Sequence, residues 1–480
     1  MKNKTLKEAR AAEKVWKSSY LYLPNLISER NLHLGCEIGV AYGGHSESIL
    51  KNTNSILISI DPYKNNMKYD DPMNVDDDLF EDIYEFARQR LSKFGSRSKL
   101  LRLDSISAAN QIGNIDYVYL DANHSYEGVL ADLIAWFPKV RNGGIISGHD
   151  YNHPNFPGVA IAVNEFFERF GWYVSSNKSG FWWVEKKPLG ISFIIPAYNC
   201  GRTLRDSVKS IIHENITADD EIIIVNDSST DNTLQIALNL CRENKQVKVY
   251  SHPINRGGGS TRNTAVMHST KSLIFCLDSD NVLYPNSIIK LKNYLLASQY
   301  SVVAFHELCY FKKSIAKVTH KWVFNDESYL LKEILSTSMV PGASGNYLYS
   351  KNAFIKVGGY PEYAGALDAW GFGVRLAVNS FKTGICRNSF YYHRYGYQSY
   401  WVRESSKQNT SLLATQILLP YLSLIKPRDV RYMLGSGMYS WFDKLDARPI
   451  RLVTSNHTSA ISRFFNLISV MKSYIIKSRK

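Results

Sequence analysis

The sequence predicts an α/β chain of two successive α/β units followed by a helical, basic C-terminal extension. Three observations carry this. Short β-branched runs alternate with longer amphipathic stretches, the pattern of strands with crossover helices. Several of these runs end in a carboxylate or a glycine turn, where open α/β sheets assemble their sites. Finally, Lys186-Lys187-Pro188-Leu189-Gly190 separates two series with different motifs and reads as a linker.

Length and charge agree with that division. A chain of 480 residues holds two or three domains, and 45% hydrophobic with 21% charged residues excludes disorder. The net charge of +14 raises the possibility of a basic nucleic-acid-binding protein. Its distribution argues against that reading. Residues 1–188 carry 22 basic and 23 acidic side chains, residues 189–400 carry 22 and 16, and residues 401–480 carry 13 and 4. The three segments thus stand at −1, +6 and +9, so the basicity is mostly C-terminal and no nucleic-acid partner is expected.

Six scattered cysteines without a C-x-x-C pair suit buried thiols in a reducing compartment. The charged N-terminus offers no apolar h-region, and no stretch of about 18 apolar residues occurs. The nearest, Ser411 to Ile425, is short and interrupted by Gln416 and Pro420. A cytoplasmic protein is expected.

In the first third, strands are expected at Leu34–Ile38, Ile56–Ile60, Leu100–Leu103, Tyr117–Leu120 and Ile145–Ser147. Gly171–Val174 and Phe181–Val184 read as a closing hairpin. Asp76-Asp77-Asp78 precedes an amphipathic helix and caps it. After Ile38 comes Gly39-Val40-Ala41-Tyr42-Gly43-Gly44, preceded by Glu37, and Asp61 ends the second strand. Glycines there let a turn approach a ligand, and a carboxylate at Asp61 is placed to accept ribose hydroxyls. The spacing is a poor match to G-x-G-x-x-G, which disfavours a dinucleotide. Two later strands end in Asp121 and Asp150, each with a histidine nearby, His124 and His149. The plainer alternative is that both aspartates cap turns and His124 packs on Tyr126.

Over residues 30–185 this series resembles class I S-adenosylmethionine-dependent methyltransferases. More narrowly it resembles their metal-dependent sugar O-methyltransferase branch, which implies a Rossmann-like domain. The resemblance implies S-adenosyl-L-methionine as cofactor, with Glu37, Gly39, Gly43, Asp61 and Asp104 as cofactor-binding positions. It implies that Asp121 and Asp150 bind Mg²⁺ and that His124 is the general base. A hard cation and an imidazole suit a sugar hydroxyl, a poor nucleophile at neutral pH. His149 stands where those relatives often carry an acidic ligand.

The second series opens at Ile191–Ala197 and continues through Glu221–Val225, Val247–Ser251 and Ser272–Leu277. Pro196-Ala197-Tyr198-Asn199, Asp227, Asn255-Arg256-Gly257-Gly258-Gly259 and Asp278-Ser279-Asp280 follow one another in order. A D-x-D alone proves little, since Asp76 and Asp78 make another. Its place at the end of an apolar strand, after the other motifs, gives it weight.

This order resembles inverting family 2 glycosyltransferases of the GT-A fold over roughly residues 190–395. The resemblance implies that Pro196, Tyr198, Asn199 and Asp227 hold the base and ribose of a nucleotide-sugar donor. It places Arg262 near the diphosphate, Asp278 on the ribose, and Asp280 on a divalent Mg²⁺ or Mn²⁺ that neutralises charge on the leaving group. A base must also deprotonate the acceptor hydroxyl. Asp368 is the candidate, although Leu367 replaces the family's first acidic residue; the alternative is a helix N-cap. His393 either completes the metal shell or packs in its aromatic cluster. Ser344-Gly345-Asn346 is a candidate acceptor lining.

From Ile461, apolar residues recur at helical spacing among Arg463, Lys472, Lys477, Arg479 and Lys480. Such a helix either lies peripherally on an anionic membrane or packs its stripe on the preceding domain. The expected domains are 1–188, 189–400 and 401–480. The expected activity is a glycosyltransferase fused to a sugar O-methyltransferase, acting on a glycan or glycolipid acceptor in surface polysaccharide or glycolipid assembly. The rival is a glycosyltransferase whose methyltransferase-like fold only binds glycan.

Overall fold

A computed structural model describes residues 19–65, 75–214, 216–324, 328–329, 347–396, 410–421 and 423–424. The chain divides into two compact units between Pro188 and Leu189, with Leu296–Gln299 grouped with the first. The acceptor-loop candidates Ser344–Asn346 and the amphipathic stretch from Ile461 lie outside the described residues.

In the first unit the strands are β1 (Leu34–Ile38), β2 (Ile56–Ile60), β3 (Ser98–Leu101), β4 (Ile115–Leu120), β5 (Val140–Gly148), β6 (Ser175–Ser176) and β7 (Trp182–Glu185). They form one sheet in the order β3-β2-β1-β4-β5-β7-β6. The first five run parallel, and β7 is antiparallel to β5 and β6. The reversal from β1-β2-β3 to β1-β4-β5 puts the switch point at the C-terminal ends of β1 and β4. The connecting helices are α1 (Tyr22–Glu29), α2 (Gly44–Asn52), α3 (Asp77–Ser92), α4 (Ser105–Gln111), α5 (Tyr126–Trp136) and α6 (Pro157–Glu168).

Because helices cover both faces, the central strands read as continuous apolar runs. Cys36, Ile38, Tyr117, Val118, Ile145 and Ile146 are all essentially inaccessible. Asp76 caps α3, its carboxylate accepting from the Leu79 N–H at 2.8 Å. The closing hairpin begins later than the sequence suggested. Gly171, at φ +71°, returns its N–H to the Glu168 carbonyl, and the Trp172 N–H goes to the Phe167 carbonyl. These are helix-terminating bonds, so Gly171 closes the turn after α6 and residues 172–174 lead irregularly into β6 instead of pairing.

The second unit carries β8 (Ile191–Ala197), β9 (Glu221–Asn226), β10 (Val247–Ser251), β11 (Leu273–Cys276), β12 (Val282–Leu283), β13 (Val302–Phe311), β14 (Val318–Val323), β15 (Ser328–Tyr329), β16 (Tyr347–Ser350) and β17 (Thr383–Arg394). The path is β10-β9-β8-β11-β16-β13-β17-β12, with β14 on β13 and β15 on β17. β10, β9, β8 and β11 are parallel; β16 is antiparallel to both β11 and β13. Its helices are α7 (Leu204–Ile212), α8 (Thr233–Glu243), α9 (Gly258–Met267), α10 (Ser287–Leu296), α11 (Lys351–Lys356), α12 (Asp368–Val378) and α13 (Thr410–Leu418).

All six cysteines are free thiols, and burial pushes Cys36 and Cys276 up to about 12. Among the described residues no helix is long and apolar enough to cross a membrane.

Candidate active sites

In the first unit the site starts at the end of β1. Gly39 has φ +87°, and a Cβ there would lie 2.0 Å from the Asp121 carbonyl oxygen. The loop after β1 therefore passes directly over the end of β4, which only glycine permits. Asp61, at the end of β2, braces that loop. Its carboxylate accepts the Val40 N–H at 2.9 Å, the Ala41 N–H at 3.1 Å and the Tyr63 N–H at 2.9 Å. Burial raises its proton affinity, and these three bonds oppose the shift. Gly43, at φ +71°, is the N-cap of α2.

Of the two other cofactor candidates, Glu37 is buried and Asp104 is exposed. Glu37 is 2% exposed and pairs with His45 Nδ1 at 3.0 Å and the Ser46 hydroxyl. Asp104 caps α4 by accepting the Ser107 N–H at 2.9 Å, and the Ser107 hydroxyl and N–H lower its pKa. Gly39 and Gly43 thus shape the loop, Asp61 braces it, Glu37 ties β1 to α2, and Asp104 caps a helix.

The ends of β4 and β5 gather a different set. His124 Nε2 lies 3.3 Å from Asp121 Oδ1 and 3.1 Å from Asp150 Oδ2. One ligand atom from each of these three residues falls within 4.8 Å of the others, a grouping able to hold a metal ion. Two carboxylates and one imidazole fit a hard divalent cation. His124 stacks on Phe156 at 4.5 Å, not on Tyr126. Ser125 caps α5, accepting the Gly128 N–H at 3.1 Å, so neither aspartate is needed there.

Asp150 adopts φ +57°, unusual for a residue with a side chain. Burial works against its charge, but hydrogen bonds from His124 and His149 hold it well below the usual carboxylate range. His149 Nδ1 is 3.5 Å from Asp150 Oδ1; burial opposes its charge, yet the neighbouring carboxylates raise its pKa. Sequence reasoning missed Asp132, a carboxylate on the buried side of α5 that burial pushes up to about 6. The available signal was an aspartate at a core position of an apolar helix.

In the second unit, Pro196 lies in β8 beside Val225 of β9, and Tyr198 and Asn199 follow the strand. Asn199, at φ +49°, accepts the Thr230 N–H at 2.8 Å and donates its own N–H to the Ser229 hydroxyl. Asp227 is 2% exposed. Its Oδ1 meets His252 Nδ1 at 2.7 Å and accepts the Arg256 N–H at 2.9 Å, while Oδ2 accepts the Gly257 N–H at 2.8 Å. Asp227 therefore fixes the glycine turn that opens α9. His252 Nε2 reaches Thr264 Oγ1 of that helix at 2.9 Å. His252 is a second residue the sequence did not single out.

Arg262 of α9 is buried and forks between two acids: NH1 to Asp368 Oδ2 at 2.5 Å and NH2 to Asp278 Oδ1 at 2.7 Å. The expected diphosphate arginine is thus engaged within the protein. Asp368 is the first residue of α12, with Leu367 as its N-cap, and its Oδ1 accepts the Ala369 N–H at 2.6 Å. At 2% exposure its carboxylate does not face solvent. Burial raises its pKa, with the Arg262 charge pulling the other way.

The Asp280 carbonyl accepts Arg394 Nε at 2.9 Å. His393 Nδ1 lies 3.4 Å from Asn281 Nδ2 and from the Tyr391 hydroxyl, its ring sits 4.8 Å from Tyr310, and burial pushes it down to about 4. His393 packs in its aromatic cluster, and a packed neutral imidazole keeps a nitrogen able to ligate. Among the described residues, Asp280 and His393 are not joined by a third histidine, cysteine or acid in a metal-sized group.

Comparison with known proteins follows the same division. Residues 192–358 match the family model for glycosyl transferase family 2, and residues 36–151 match a methyltransferase domain model. The hyaluronan synthase of Pasteurella multocida is 38% identical over 113 residues, 23% of this chain and 11% of that protein. A poly-beta-1,6-N-acetyl-D-glucosamine synthase of Staphylococcus epidermidis is 33% identical over 94 residues, 20% of this chain and 22% of that protein. The chain thus spans only about a tenth to a fifth of the length of these curated relatives. Among solved structures, S. aureus TarS 1–349 in complex with UDP-GlcNAc aligns with a TM-score of 0.45 at 17% identity, covering 54% of this chain and 77% of that one.

Proposed function

From a chain that joins a methyltransferase-type domain to a family 2 glycosyltransferase domain, we propose a bifunctional glycan-modifying enzyme of three parts, 1–188, 189–400 and 401–480. The second unit transfers a sugar, with inversion, from a nucleotide-sugar donor to a glycan or glycolipid. The first O-methylates a sugar hydroxyl with S-adenosyl-L-methionine. The setting is cytoplasmic surface-polysaccharide or glycolipid assembly, and the basic C-terminal segment either packs its apolar stripe on the preceding domain or meets an anionic membrane peripherally. The observation that carries this reading is the convergence of Asp121, His124 and Asp150 beside the glycine loop of β1.

In the first unit, Asp121 and Asp150 hold a Mg²⁺ or Mn²⁺ ion, whose charge makes a nearby hydroxyl more acidic when it is bound. His124 takes the hydroxyl proton, and the two flanking carboxylates compensate the charge it acquires. Gly39 and Gly43 shape the cofactor loop that Asp61 braces, and Glu37 and Asp104 are the further cofactor-binding positions. In the second unit, Pro196, Tyr198, Asn199 and Asp227 frame the nucleoside, Asp278 meets the ribose, and Asp280 with His393 holds the cation. Asp368 is the base and Arg262 its partner. The pair must open for an acceptor hydroxyl to reach the carboxylate.

One observation favours a second reading, a methyltransferase-like module without turnover: the carboxylates of Glu37 and Asp61 are already engaged inside the protein. A panel of nucleotide sugars with Mg²⁺ or Mn²⁺, and labelled S-adenosylmethionine with the glycan products, tests both. Asp280→Ala is expected to abolish sugar transfer alone, and Asp121→Ala methylation alone. Sugar transfer surviving Asp280→Ala refutes the second-unit assignment. A full chain that does not bind S-adenosylmethionine leaves only the module reading.

A further inference from the structure

Behind the Asp121, His124 and Asp150 cluster lies a small, largely apolar cavity with a few polar side chains in its lining, which none of these roles uses. Asn123, His124, Asp132, His149 and Trp182 line it, with Leu120, Val129 and Val159 closing its apolar walls. It therefore sits between the β4, β5 and β7 face of the sheet and helices α5 and α6.

Three polar groups meet at this cavity. Trp182 is 1% exposed, and its Nε1–H has no hydrogen-bond partner among the described residues. The same is true of His149 Nε2. Asp132 is 6% exposed; its Oδ1 accepts the Ser105 hydroxyl at 2.5 Å, and that hydroxyl oxygen accepts Trp136 Nε1–H at 2.9 Å. Trp182 is also fixed in place. It pairs across the sheet with Gly148, where a Cβ would fall 2.8 Å from the indole.

Buried polar groups are rarely left unpaired, because each orphan forfeits the hydration it had when unfolded. These groups are mutually complementary. The indole donates, the carboxylate accepts, and the imidazole nitrogen serves in either sense. A single water with three such partners satisfies all of them. The other imidazole nitrogen, Nδ1, lies 3.5 Å from Asp150 Oδ1, so the ring spans from this cavity to the carboxylate. Asp150 stands on a left-handed turn beyond the end of β5, where the strand pairing no longer orients it.

We infer that this cavity holds an ordered water joining Trp182, Asp132 and His149, and that through His149 it aims the Asp150 carboxylate at the cation. Asp132, Trp182 and His149 are then positioning residues. This rests on the reading of Asp121, His124 and Asp150 as a metal site. Outer-shell partners of this kind change metal affinity by about 10- to 100-fold.

Mn²⁺ binding to the full chain, followed by the loss of the free-ion electron paramagnetic resonance signal, tests the inference. The site missing from Asp121→Ala is the first-unit site. At that site, Asp132→Leu and Trp182→Phe are each expected to weaken Mn²⁺ by about 10-fold or more. Asp132→Asn keeps a hydrogen-bonding head in the cavity and should recover most of the loss, which a merely space-filling role would not predict. Affinity unchanged in both Asp132→Leu and Trp182→Phe overturns the inference and leaves the metal site standing. Wild type and Asp121→Ala titrating alike overturns the metal reading and the inference with it. If Asp132→Leu does not fold, Trp182→Phe, which removes the N–H together with part of the indole ring, decides the matter alone.

Discussion

The Arg262 fork makes a quantitative prediction about the second unit. Arg262→Met leaves two carboxylates without their cation, and the structure says that they suffer unequally. The Asp278 side chain is 24% exposed and can recover water, whereas that of Asp368 is 3% exposed and cannot. Breaking a buried pair by deleting one partner costs about 3–5 kcal/mol, and here most of that falls on Asp368. The double variant Arg262→Met/Asp368→Asn should therefore lose less than the sum of its singles, by about 2–4 kcal/mol. Arg262→Met/Asp278→Asn should show coupling below about 1 kcal/mol, because that pair is partly hydrated. Arg262→Lys should not rescue, since one ammonium cannot reproduce the two-armed fork. Urea unfolding of the full chain, read on the second unit's transition, measures each value. Additivity of Arg262→Met and Asp368→Asn within about 0.5 kcal/mol would show that no buried charge was compensated, and the reasoning would fail.

Other consequences follow from the same geometry. Asp132 titrates at about 6 when folded, above the ordinary carboxylate value of 3.8. The folded state thus binds the extra proton more readily, and this group's contribution to stability falls as pH rises from 4 towards 7, by about 2–3 kcal/mol. Asp132→Asn should flatten that decline in a pH series of unfolding curves; an identical slope would discount the shift. Gly39→Ala combines a left-handed backbone with a Cβ 2.0 Å from the Asp121 carbonyl, costing about 2–5 kcal/mol in the first unit. It should abolish methyl transfer while sugar transfer persists, and equal loss of both activities would contradict it. His252→Ala removes one of the three groups bonded to the Asp227 carboxylate and a partner of Thr264 of α9, so it should raise the donor KM by about 10-fold with less effect on kcat; an unchanged KM counts against it.

Much of both sheets was legible from the sequence because a parallel strand buried on both faces is a near-continuous apolar run, as in Ile222–Val225. What misled was local. Gly171–Val174 has the aromatic and β-branched content of a strand, but Gly171 closes a helix, and composition does not distinguish the two. The metal-sized cluster was legible in its members, since Asp121 and Asp150 sit at strand ends, where a parallel sheet brings neighbours together. Asp132 and His252 were not. Their roles depend on which helix face turns inward and on partners more than ten residues away, and neither is encoded by spacing within a motif.

The motif carboxylates divide by where their lone pairs go. Asp61, Asp104 and Asp227 accept backbone N–H groups, and Glu37 holds a histidine and a serine. Each acts on a loop or a helix start. Asp121, Asp150 and Asp278 instead pair with side chains, His124 or Arg262. Acids bound to backbone are fixed as firmly as the fold itself, so their replacement should weaken binding through the loop they shape. Acids bound to side chains can exchange their partner for a cation or a substrate group without unfolding anything. On this division we expect titratable chemistry from the second set and ligand shape from the first. The same sequence signature, an aspartate at a strand end, therefore takes two bonding patterns, backbone in Asp61 and Asp227 and side chain in Asp121, Asp150 and Asp278.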